Sequence, residues 1–81
     1  MTVRLRLFAA LREIVGRDEM DLELPAGTTA GGLWERLVAD YPKLIPYAAT
    51  IQVAINQDFA DRRTELRERD DVAFLPPVSG G

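Results

Sequence analysis

Apolar residues fall at every second position in VRLRLF, where Val3, Leu5 and Leu7 alternate with Arg4 and Arg6. A period of two sets the first group on one face of a strand and the arginines on the other. Leu11, Ile14 and Val15 then fall at helical spacing before Gly16, which predicts a short helical turn with a glycine stop. A second strand follows, in which Met20, Leu22 and Leu24 alternate with Glu19, Asp21 and Glu23. Antiparallel pairing of these two strands would set arginines against acids, at about 0.2 to 1 kcal/mol per pair. Such charges are read as a solvated sheet face, without chemistry.

Pro25, Ala26 and Gly27 break the second strand, and Thr28 or Thr29 then offers a hydroxyl to cap a longer helix. That helix carries Leu33, Trp34, Leu37, Val38 and Tyr41 on one stripe and turns Glu35, Arg36 and Asp40 away, until Pro42 ends it. Helical spacing on a mixed helix is what burial alone produces, so the stripe reads as core rather than as a ligand platform. Gly31 and Gly32 in its first turn each cost up to about 1 kcal/mol relative to alanine, so the start either frays or admits close packing. A third strand runs from Ile51 to Ile55, a loop holds Asn56, Gln57 and Asp58, a short strand lies near Phe59, and a last strand spans Val72 to Leu75. The charge run DRRTELRERDD between them mixes both signs and reads as solvated surface.

One main helix against one face of a mixed sheet is an α+β arrangement. A last strand parallel to the first needs a right-handed crossover, which the helical segment supplies. The outline is that of a ubiquitin-like β-grasp. A chain of 81 residues makes one domain, expected over residues 1–75 with an extended tail over 76–81. A chain of this size buries only about 60 % of its unfolded surface, so its core is thin.

Composition narrows the chemistry. A net charge of -3 makes the chain a poor nucleic-acid binder. Its apolar stretches, near Phe8 to Leu11 and Ile45 to Ile51, fall short of the roughly 20 residues a membrane helix needs. No basic start with a long apolar segment marks a secretory signal, and the expected compartment is the cytoplasm. The absence of cysteine and histidine removes thiol nucleophiles, disulfides, most zinc sites and the usual general base.

What remains is the ending FLPPVSGG, from Phe74 to Gly81. Pro76 and Pro77 lack amide donors and favour an extended form, which discourages the tail from joining the sheet. Gly80 and Gly81, lacking Cβ atoms, suit a narrow active site. Six extended residues, Pro76 to Gly81, reach roughly 20 Å.

This ending, with FAALREIVG near the start, the Asn56-Gln57 pair and DDVAFLPPVSGG, resembles the MoaD/ThiS family of sulfur carriers, and within it the molybdopterin synthase small subunits, over essentially the whole chain. One departure is Arg69, where the family usually has glycine in a tight turn before the Asp; the departure bears on that turn's geometry and not on the tail.

The resemblance implies that the Gly81 carboxylate is the reactive group. A ubiquitin-activating-type enzyme would adenylate it with ATP and magnesium, and sulfur from a donor protein would then replace the adenylate as a thiocarboxylate. The thiocarboxylate would donate that sulfur to cyclic pyranopterin monophosphate, forming the molybdopterin dithiolene. Val78 and Ser79, with Pro76, Pro77 and Gly80, would enter the partners' pockets, and this chain would bind no cofactor and no metal itself. The residues that process the pterin are expected on a large subunit, in a heterotetramer of two small and two large subunits. Phe59, Phe74 and Leu75 are expected to present an apolar patch to the large subunit and to the activating enzyme in turn, with burial in the core as the alternative for Phe74 and Phe59. One patch serving both partners would make their binding mutually exclusive. Two other readings stay open: a carrier for thiamine, cysteine or tRNA thiolation, and a β-grasp interaction module or ubiquitin-like modifier that forms amide bonds to lysines.

Overall fold

A computed structural model describes residues 1–77. Five strands form one sheet: β1 Thr2–Leu7, β2 Glu19–Glu23, β3 Gln52–Ile55, β4 Asp58–Ala60 and β5 Asp71–Leu75, in the order β2-β1-β5-β3-β4. The β1–β2, β3–β4 and β3–β5 pairs are antiparallel, and β1–β5 is parallel. The last strand is therefore the middle of the sheet. Two helices, α1 Ala9–Val15 and α2 Ala30–Asp40, complete the fold with a 3₁₀ segment, Pro42–Tyr47.

The alternation in β1 has the predicted effect. Val3, Leu5 and Leu7 are buried, and in β5 Val72 and Phe74 join them on the same face. Phe74 is wholly buried and meets Trp34 of α2 edge to face, with ring centroids 5.2 Å apart and planes at 78°. Burying one such side chain contributes about 1.5 to 3 kcal/mol, and the edge-to-face geometry adds roughly 0.5 to 1.5. On the opposite face Arg4 meets Glu19 and Asp21, and the Arg6 Nε approaches both Asp71 oxygens at 3.0 Å. These pairs are half exposed and hold less than about 1 kcal/mol each.

Helix α1 ends at Gly16, whose φ of 82° is left-handed. Helix α2 is capped by Thr29, the second of the two candidates, whose side chain accepts from the Gly32 N–H. Gly31 is where the close-packing alternative holds. Its N–H donates to Arg62 O at 2.7 Å, and a Cβ there would lie 3.1 Å from that oxygen. Pro42 stops α2 as expected, with Tyr41 as its C-cap, still packed against the core. The chain then turns through a 3₁₀ segment that buries Leu44, which the sequence pattern did not indicate.

Candidate functional site

The feature to be located is the base from which the tail departs. It is built into the sheet: Phe74 pairs with Leu7 on one side and Val53 on the other, and Leu75 pairs with Gln52. Pro76 follows half-buried and Pro77 exposed. Strand β5 thus delivers the chain outward from the middle of the sheet. Val78, Ser79, Gly80 and Gly81 lie outside the described residues.

Around this base, register decides which side chains share a face. Phe74 and Val53 point into the core, so their neighbours Ala73, Leu75, Gln52 and Ala54 face the open side of the sheet. Ala54 pairs with Ala73 across one ladder and with Phe59 across the other. The result is an apolar band, Leu75, Ala73, Ala54 and Phe59, crossing three strands. Phe59 is 76 % exposed at its outer end. Phe8, 43 % exposed just beyond β1, lines a shallow hollow of about 230 Å³ with Arg6, Ala54, Gln57, Asp71 and Ala73. Small side chains at 54 and 73 leave that hollow open beside the Phe8 ring. The other half of the open face, toward β2, carries Arg4, Glu19 and Asp21.

Of the three residues expected to form a docking patch, Phe59 is exposed and Leu75 is half-buried on the open face. Phe74 is corrected: it is buried at the Trp34 contact and presents nothing outward. The reason is the pleat, since adjacent residues of a strand point to opposite faces. Phe8, Ala54 and Ala73 belong to the same band and were missed. Phe8 reads from sequence as the end of a strand, and the alanines acquire meaning only through ladder register.

Three left-handed non-glycine residues make the turns before β4 and β5. Asn56 and Gln57 turn β3 into β4 at φ of 52° and 74°. Arg69, at φ 67°, makes the turn before β5, with its N–H donating to Thr2 O at 2.7 Å. The turn therefore adopts the backbone conformation that glycine prefers, with an arginine in place. Among the described residues no group of His, Cys, Asp and Glu is arranged to hold a metal, and no helix is long and apolar enough to cross a membrane.

Comparison with known proteins agrees with this architecture. The ThiS family model matches residues 5–81. The molybdopterin synthase sulfur carrier subunit of Mycobacterium tuberculosis is 36 % identical over 80 residues, covering 98 % of this chain and 96 % of that protein. Small archaeal modifier protein 1 of Methanosarcina acetivorans is 29 % identical and superposes with a TM-score of 0.80, covering 99 % of this chain and 96 % of that one. Subunit 1 of the Helicobacter pylori molybdopterin-converting factor, solved in complex with subunit 2, shares the fold at 22 % identity and a TM-score of 0.69, covering all of both chains. The β-grasp sheet, the single main helix packed on it and a family match that runs through the Gly-Gly ending place this chain in the ThiS family, the MoaD/ThiS sulfur carriers that its sequence resembles.

Proposed function

We propose that this chain is the sulfur carrier subunit of a molybdopterin synthase and that its reactive group is the Gly81 carboxylate. One observation carries the reading: the family match extends to residue 81, and the strand that leads there is paired on both edges in the middle of the sheet. A carboxylate is a poor acyl donor. Attack of one of its oxygens on the α-phosphate of ATP, in a ubiquitin-activating-type enzyme that holds ATP and magnesium, gives an acyl-adenylate and pyrophosphate. A sulfur donor then displaces AMP to leave a thiocarboxylate. Its sulfur attacks a carbon of the pterin substrate, cyclic pyranopterin monophosphate, whose carbon–oxygen bond breaks as the oxygen substituent leaves, and water cleaves the acyl–sulfur bond to restore Gly81. This chain contributes the acyl group and its delivery, and the pterin-processing residues belong to the large subunit.

The apolar band supports a protein partner on the open face. Leu75, Ala73, Ala54 and Phe59 run from the tail base to the sheet edge, so a protein seated on them also receives the tail. We assign that seat to the large subunit, in a heterotetramer, and in alternation to the activating enzyme, both in the cytoplasm.

A second reading, protein modification through an amide bond, is favoured by the likeness to small archaeal modifier protein 1. Intact mass separates the two. After incubation with the activating enzyme, ATP and a sulfur source, the carrier reading expects replacement of one terminal oxygen by sulfur, whereas lysine conjugates without a thio-form would overturn it. Deleting Gly81 should abolish loading and leave thermal unfolding unchanged.

A further inference from the structure

Phe59 stands on the weakest part of the sheet. Strand β4 has three residues, lies at the edge and pairs only with β3. Its turn uses Asn56 and Gln57, both left-handed, a conformation that asparagine tolerates and that costs glutamine about 1 to 2 kcal/mol. A hairpin this short and strained should fray. Something outside it must hold it.

The holding group is Asp70, the one charged residue buried among the described residues. Its Oδ1 accepts from Asn56 Nδ2 at 2.9 Å, and its Oδ2 accepts from the Arg67 N–H at 2.8 Å. Asn56 answers on its other side: its Oδ1 accepts from the Asp71 N–H at 3.0 Å, and its own N–H donates to Asp71 O at 2.7 Å. Asp70 is tied in turn to β1, where its carbonyl accepts from the Arg4 N–H at 2.9 Å. The Asn56 side chain thus bridges the β3–β4 turn to the turn before β5, through bonds of the charge-assisted kind on the Asp70 side. Because turn geometry fixes hairpin register, and a slip of one residue would send Phe59 to the other face, this bridge also sets where the ring points.

We infer that Asn56 and Asp70 are positioning residues for partner docking: a clamp that holds the β3–β4 hairpin in the register that presents Phe59 beside Ala54 and Ala73. Neither touches a reacting atom. The inference rests on the reading that the open face receives the large subunit.

A reciprocal exchange tests it. Asn56→Asp alone sets two carboxylates against each other. Asp70→Asn alone leaves an amide hydrogen facing another donor. Together, the amide introduced at position 70 donates to the carboxylate introduced at position 56, and the bonds from the Arg67 and Asp71 N–H groups are kept. Each single variant should speed amide exchange in β4 about tenfold or more, leave β1 and β5 protection intact, and weaken affinity for the large subunit by a similar factor. The double variant should restore both. Asn56→Gly keeps the left-handed turn accessible while removing the clamp, so it guards against a variant that fails to fold. It should stay folded, with β1 and β5 protection intact, yet bind the large subunit more weakly. Parental affinity in Asn56→Gly, or no recovery in the double variant, would overturn the clamp. If the parent chain itself does not bind the large subunit, the functional reading fails, and β4 exchange still decides whether the clamp holds the hairpin.

Discussion

Phe59 and Phe74 are the same residue type with opposite duties. Phe74 fills the core at the Trp34 contact, and Phe74→Ala should cost about 3 to 5 kcal/mol in chemical denaturation. Phe59→Asp should leave that stability nearly unchanged and reduce affinity for the large subunit about tenfold or more by calorimetry, as loss of an exposed aromatic anchor does. Sequence did not separate the two, because in β5, DVAFL, only Asp71 marks the outward side and the four residues after it are apolar on both faces. A strand covered by neighbours on both edges and facing the core on one side tolerates such a run. Arg69 presents a different ambiguity. Its left-handed φ of 67° carries a backbone cost of about 1 to 2 kcal/mol, and Arg69→Gly should recover roughly 1 kcal/mol of it, read as a higher denaturation midpoint at unchanged slope.

At the scale of elements, adjacent glycines in α2 differ in what surrounds them. A Cβ at Gly31 would press 3.1 Å from Arg62 O, an oxygen fixed by its bond to the Gly31 N–H, whereas one at Gly32 would make ordinary contacts with Thr29 and Thr28. Gly31→Ala should therefore lower the melting temperature, at a cost of about 1 kcal/mol or more. Gly32→Ala should raise it, gaining up to about 1 kcal/mol of helix propensity. The helix and its stop were plain in the sequence because Thr29, the Leu33–Leu37 spacing and Pro42 are local signals. The 3₁₀ segment was not, since a proline at its start and Pro46 within it read as loop until Leu44 is seen to pack under α2. Strand β4 was legible only as a short strand near Phe59; the face it presents depends on a ladder, and ladders join residues far apart in sequence.

For the whole molecule, local hairpins and a helix were readable because their alternation and caps lie within a few residues, and the parallel β1–β5 union followed from handed crossover rules. The apolar band was unreadable, because it is assembled from residues 8, 54, 59, 73 and 75. The strand at the centre of the sheet is also the last of the five in chain order, made after the other four. Until residues 71–75 emerge, β1–β2 and β3–β4 are two separate ribbons with no ladder between them and two bare edges. Synthesis that stalls before Val72 leaves a chain with neither a finished sheet nor a seat for its partners. A chain that displays the open face has therefore already been translated through its central strand.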